Sequence, residues 1–198
     1  MGKIYMFEGL DLSGKSTAIK HLEMELKKLG HDVVINNGPL GAQDILSDIY
    51  KQGDLNSYEQ DLYFTYLFTH DKTLPIKKEN DIVLQDRYYP STMFYGFLNF
   101  PSKSLINRLP LSDFVQPEKF VYFTCSYEES LDRYEQREDN SDDDRRALAS
   151  KDEFNKRKGV YSLVMEKINS EYGNVVNVDT TNKSHFGITR ELLKHIIK

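Results

Sequence analysis

The sequence predicts an α/β domain in which a five-stranded parallel sheet carries helices on both faces. Three observations lead there. Short apolar segments rich in β-branched and aromatic residues recur along the chain, helical stretches lie between them, and a glycine-bearing turn joins the first apolar segment to the first helix. The first strand spans Lys3 to Glu8 around Ile4-Tyr5-Met6-Phe7, and the helix after it runs from Lys15 to Leu29, where Gly30 stops it. A second strand, Asp32 to Asn36, precedes helices at Ala42 to Tyr50 and Ser57 to Thr73. The third, Asp81 to Gln85, leads to helices at Ser91 to Asn99 and Lys103 to Arg108. The fourth, Lys119 to Thr124, leads to a helix at Tyr127 to Gln136. The stretch Glu138 to Arg146, EDNSDDDRR, has no apolar residue and reads as an exposed, mobile loop between two helices. Its aspartates loosely suggest a calcium loop, but the sharp-turn glycine and terminal glutamate of an EF-hand are missing. A helix from Lys151 to Ser170, a last strand from Asn174 to Val178 and a helix from Ser184 to Ile197 complete the pattern.

With 198 residues, 39% of them hydrophobic, the chain can bury one sizeable core and is expected to form one domain over residues 1–198. The net charge of −5 gives no general pull toward nucleic acid or an anionic membrane, so neither is an expected partner and any phosphate site must be local. Cys125 is the only cysteine, which excludes an intrachain disulfide and a cysteine-based zinc site. No pair among the five histidines has metal-ligand spacing. No stretch approaches the roughly 18 apolar residues of a membrane span, and no cleavable leader precedes the first strand. A cytoplasmic protein is expected.

The stretch GLDLSGKST, residues 9 to 17, sits between an apolar strand and an amphipathic helix, the context a phosphate-binding loop requires. Its glycines, Gly9 and Gly14, let the backbone amides of Leu12, Ser13 and their neighbours curl around phosphate, at the positive end of the following helix. Lys15 is placed to reach the β- and γ-phosphates and Ser16 to hold magnesium, with Thr17 among the nucleotide-binding residues of the loop. Asp86 and Arg87 follow the third strand, at the edge of a parallel sheet where ligands collect. Asp86 suits magnesium or its water shell, or a proton from an attacking oxygen, while Arg87 offers a planar fork to phosphate. A GTPase is disfavoured, since Asn182-Lys183-Ser184-His185 lacks the aspartate of a guanine reader and Asp86-Arg87-Tyr88-Tyr89 is not a DxxG.

The combination FEGLDLSGKST, then DRYYPSTMFYG after the third strand, then a charged loop followed by FNKRKGVY, resembles the thymidylate kinase family of nucleoside-monophosphate kinases. The resemblance implies a three-layer P-loop kinase fold with a mobile lid, here about residues 137–149, and ATP with Mg2+ as cofactors. It implies that Arg87 contacts the acceptor phosphate and that Asp11 contacts the acceptor sugar's 3'-hydroxyl. The resemblance also implies an arginine that meets the moving γ-phosphoryl group from either the phosphate loop or the lid; this loop holds none, so it is expected from the lid. Arg145 or Arg146 is the first choice, with Arg137 and Arg133 behind them. Homodimerisation is a further implication.

The sequence departs from the family on the acceptor side. The turn after the second strand, Asn36-Asn37-Gly38-Pro39, lacks the family's arginine. Tyr63 or Phe64 can stack on a base, but four residues on stand Leu67 and Phe68 rather than a base-reading arginine. His70, Tyr66, Tyr88 and Tyr89 are the alternative polar readers, and His70 is the one histidine placed near this pocket. Phe154, Arg157 and Tyr161 share one helical face, the aromatics for packing and Arg157 as a supporting cation. The expected reaction is transfer of the ATP γ-phosphoryl group to a (deoxy)nucleoside monophosphate; the alternatives are phosphorylation of a deoxynucleoside 5'-hydroxyl and nucleotide binding without transfer.

Overall fold

The computed structural model describes residues 2–40, 55–72 and 81–197. Five strands are found there: β1 (Lys3–Gly9), β2 (Val33–Asn37), β3 (Ile82–Asp86), β4 (Lys119–Thr124) and β5 (Val175–Asp179). They form one sheet in the order β2-β3-β1-β4-β5, and every neighbouring pair is parallel. The described helices are α1 (Lys15–Lys28), α2 (Ser57–Asp71), α3 (Tyr89–Asn99), α4 (Tyr127–Gln136), α5 (Asp142–Ala147), α6 (Lys151–Tyr172) and α7 (His185–Ile196). The helix predicted at 42–50 lies outside the described residues.

Alternation along β1 explains the three layers. Successive side chains of a strand point to opposite faces, so Ile4 and Met6 join Phe94, Tyr161, Val164 and Ile168 on one side, while Tyr5 and Phe7 join Leu22, Leu26, Leu192 and Ile196 on the other. With both faces covered, the strands read as continuous apolar runs. Glu8 follows Met6 onto the first face, where it is fully buried. Among the described residues no helix is long and apolar enough to cross a membrane.

Three strands, β2, β3 and β5, sit one residue later than the sequence pattern suggests, which makes Asp86 the last residue of β3 and pairs it with Phe7 and Asn37. Helix α3 starts two residues before the predicted Ser91, because Pro90 is tolerated in a helix's first turn. Helix α6 runs on to Tyr172 and stops where Gly173 turns left-handed at φ 63°.

Two expectations fail. The helix predicted at 103–108 is only a 3-10 turn, Ile106–Arg108. Buried Asp61 captures Ser104 Oγ and the Leu105 amide, each at 2.8 Å, and so holds that chain to α2 instead. The acidic stretch 138–146 is not all loop, since α5 begins inside it. Ser141 caps the Asp144 amide and Asp144 returns the bond to the Ser141 amide, a reciprocal capping box that starts a helix from polar residues alone.

Candidate functional site

The phosphate loop is shaped by its backbone. At Gly9, φ is +147°, and an added Cβ would lie 2.5 Å from the Phe123 carbonyl oxygen, so only glycine fits. Leu12 and Gly14 follow in left-handed conformation, at φ 64° and 83°, which curls successive N–H groups into a concavity. Gly14 caps α1 without a side-chain bond, leaving first-turn amides open to an anion. A cavity of about 420 Å³ results, walled by residues 10–17 with Arg133 and Arg137. Lys15 is buried there, with its ammonium on Asp86. Burial and the nearby Arg87 push its pKa down, against the pull of Asp86. Ser16 Oγ donates to the other Asp86 oxygen at 3.2 Å.

Arg87 lies one strand away, in left-handed conformation at φ 63°, a strain of order 1–3 kcal/mol for a non-glycine residue. The fold over-determines it. Its amide donates to the Phe7 carbonyl at 3.0 Å, and the buried Gln85 amide donates to its carbonyl at 2.7 Å and to that of Gly38 at 2.8 Å. Asn36 completes the group by donating to Gln85 Oε1 at 2.6 Å. The guanidinium pairs with Asp11 at 2.5 Å and donates to Ser91 Oγ at 3.0 Å. Behind Ser91 stands Glu8, whose carboxylate accepts from Ser91 at 2.7 Å, from Tyr161 at 2.6 Å and from the Tyr88 amide at 2.8 Å. Burial pushes the Glu8 pKa up, opposed by these hydrogen bonds and by Arg87.

From Arg87 a second cavity, about 320 Å³, extends past Ser91 and Tyr95 to Phe64, Phe68, Gln60 and Asn99. The Phe64 and Phe68 rings stack with centroids 5.8 Å apart, giving one side an apolar slab.

Of the residues singled out in the sequence, Lys15, Ser16 and Asp86 converge, and Asp11 joins them to Arg87. Gly9, Leu12, Ser13, Gly14 and Thr17 belong to the loop as expected. Phe64 lines the second cavity, whereas Tyr63 and His70 are not part of its described wall. His70 packs on Tyr66 instead, with ring centroids 4.1 Å apart.

The arginines expected to act from a lid differ most. Arg145 is exposed and pairs with Asp142 at 3.2 Å, and Arg146 is exposed as well, so neither lines the phosphate-loop cavity. The unforeseen α5 turns both outward. Arg133 and Arg137 line the cavity in their place. Arg133 donates to the loop carbonyl of Leu12 at 2.9 Å and, just past β5, to the carbonyl of Thr180 at 3.3 Å. Arg137 is half exposed, 3.8 Å from Asp144. Glu8, Gln85, Ser91 and Tyr95 had no assigned role in the sequence; a lone acidic residue ending an apolar strand was the available signal for Glu8.

No group of three or more His, Cys, Asp or Glu side chains capable of caging a metal occurs among the described residues. Ser16 Oγ and Asp86 are nevertheless hard oxygen donors beside the lysine of a phosphate loop. Magnesium at such a site takes one or two protein oxygens and draws the rest from phosphate and water.

The family profile for thymidylate kinase matches residues 7–185. A thymidylate kinase of Thermoanaerobacter sp. (strain X514) is 31% identical over 150 residues, covering 69% of this chain and 72% of that protein. One from Mycoplasma capricolum subsp. capricolum is 26% identical over 206 residues, covering 97% and 93%. Among solved structures, a thymidylate kinase from Ehrlichia chaffeensis superposes with a TM-score of 0.63 at 20% identity, over 100% of this chain and 99% of that one. At that identity the likeness speaks for the fold.

Proposed function

This chain belongs to the thymidylate kinase family and is a nucleotide phosphotransferase acting on nucleoside monophosphates, and we propose that it moves the γ-phosphoryl group of ATP onto a deoxynucleoside monophosphate to give the diphosphate. The observation that carries this reading is the Asp11–Arg87 ion pair, which joins a carboxylate of the donor loop to the cation at the mouth of the second cavity.

Each phosphate-seeking cation rests on a carboxylate and has to exchange it for phosphate. Lys15 leaves Asp86 for the β- and γ-phosphates, and Arg87 leaves Asp11 for the acceptor phosphate. Asp11 is then free to accept from the acceptor sugar's hydroxyl. Ser16 and Asp86 would hold Mg2+, which when bound supplies neutralising charge at the phosphates. Arg137 is the lid cation closest to this exchange, and the in-line geometry comes from holding both phosphates against fixed backbone.

A monophosphate is favoured over a nucleoside because a 5'-hydroxyl needs a proton acceptor, whereas a phosphate oxygen arrives ionised. The carboxylates in and beside the second cavity are already engaged: Asp61 on Ser104 and Leu105, Asp11 on Arg87. The base is read without an arginine at position 68, where Phe68 is buried, so the neutral side chains of Gln60, Asn99 and Ser57 face the far end.

A panel of deoxynucleotides and deoxynucleosides, each incubated with ATP and assayed for product, tests the proposal. Diphosphate formation from at least one monophosphate is expected. Product from nucleosides alone would make the chain a nucleoside kinase, and tight ATP binding without any product would make it a binding protein. Lys15→Ala should abolish transfer while leaving the thermal melt in place; turnover at the wild-type rate in that variant would remove the loop from the chemistry.

A further inference from the structure

The stretch from Arg137 to Ala147 lines the phosphate-loop cavity through Arg137 and reaches a wall residue of the second cavity through one side chain. Asp143, on α5, accepts from Tyr95 Oη at 3.0 Å through one carboxylate oxygen and from Arg157 at 3.0 Å through the other. Tyr95 belongs to the wall of the acceptor cavity, with Arg87 and Ser91. Arg157 is buried and fastened on its other side to Glu153 at 3.0 Å, so it gives Asp143 a fixed backstop on α6.

The segment is also hydrogen-bonded along its length between those two contacts. Asn140 donates to the carbonyls of Tyr134 and Arg137, at 2.8 and 2.9 Å, and the Ser141–Asp144 capping box follows directly. Arg137, at the near end, lines the donor cavity and lies 3.8 Å from buried Asp144. A displacement of Asp143 is therefore passed to Arg137 through a short braced piece of chain rather than a slack loop.

We propose that Asp143 is a positioning residue that ties the lid to the acceptor wall through Tyr95, so that the placement of Arg137 over the donor phosphates is set from the acceptor cavity. An acceptor packed against Tyr95 fixes its hydroxyl, the hydroxyl fixes Asp143, and the braced segment fixes Arg137. The benefit is economy of ATP: the cation that promotes transfer takes its place when there is something to receive the phosphoryl group, and water is a poor substitute. This rests on the monophosphate kinase reading above.

The test uses Asp143→Asn, Tyr95→Phe and the double variant, with two readouts. The first is hydrogen exchange of amides 137–147 without nucleotide, which needs no activity. Both single variants should exchange faster than wild type by a similar factor, with no further gain in the double variant. The second is steady-state kinetics. Each single change should lower kcat about five- to ten-fold, because Arg137 is no longer held in place, and raise the acceptor KM by a similar factor with the ATP KM within about two-fold, and the double should match the worse single, as coupled partners do. Wild-type exchange in Asp143→Asn, or additive effects in the double variant, would overturn the latch. If the wild-type protein phosphorylates no monophosphate, the kinase reading fails and the exchange data alone decide the latch.

Discussion

Arg87 shows how one residue's role depends on neighbours that sequence spacing hides. The motif around it is local, and so are those of Lys15 and Ser16, which is why all three were legible: a phosphate loop and the end of a strand are written in consecutive letters. The groups that hold Arg87 are not consecutive. Glu8 reaches Tyr161 across 153 positions and Ser91 across 83, and neither separation leaves a periodic trace. The raised pKa of Glu8 makes its influence measurable. Glu8 takes up a proton more readily in the folded chain than in the unfolded one, whose value is near 4.5, so the native state holds more protons above that pH. Its contribution to stability is full below about pH 4.5 and declines as pH rises through the raised value, with a slope of at most about 1.4 kcal/mol per pH unit. Glu8→Gln should flatten this slope in urea titrations run across pH, and should also weaken acceptor binding by loosening Ser91. An unchanged slope would show that another group titrates there.

At the scale of elements, the lid is where pattern reading misled. A stretch without apolar residues reads as loop because helix expectation leans on periodicity, yet capping chemistry alone starts α5, and that helix decides which arginines line the phosphate-loop cavity. Ser141→Ala removes the cap and should cost about 1 kcal/mol of local stability, visible as faster exchange in residues 141–148 with the global melt nearly unmoved. Among the lid arginines, Arg137→Ala is expected to lower kcat by about a hundred-fold or more. Arg145→Ala and Arg146→Ala provide the comparison: an equal loss in either would return the role to the residues that the sequence first suggested. The predicted helix at 103–108 failed for the converse reason, since its six residues are too few to pay for nucleation once Asp61 offers a tertiary partner.

For the molecule as a whole, the layer architecture was fully legible, because strands buried on both faces must be apolar and the helices between them must be amphipathic. The sheet order was not written in the pattern; it follows from the crossovers and their packing. Cys125, buried beside Leu148 and Phe154, offers a gauge of the assembled fold. Burial raises its thiol pKa as well as shielding it, so a thiol reagent should modify it only as the chain opens, with a rate that tracks the unfolding equilibrium in urea. Rapid labelling in plain buffer would mean that the corner under α4 opens by itself.

The placement of β1 beside β3 reaches beyond catalysis. The phosphate loop leaves the end of one strand and Arg87 leaves the end of the next, in register at Phe7 and Asp86. Neighbouring strands lie about 4.8 Å apart because of the length of a hydrogen bond, not because of any side chain. The separation between the two anchors is thus a property of backbone geometry, indifferent to what the surrounding loops contain. Segments lining the second cavity can be exchanged while that spacing stays as it is, which makes this chain a chassis on which, under the proposed reaction, the choice of acceptor can be redesigned one wall at a time.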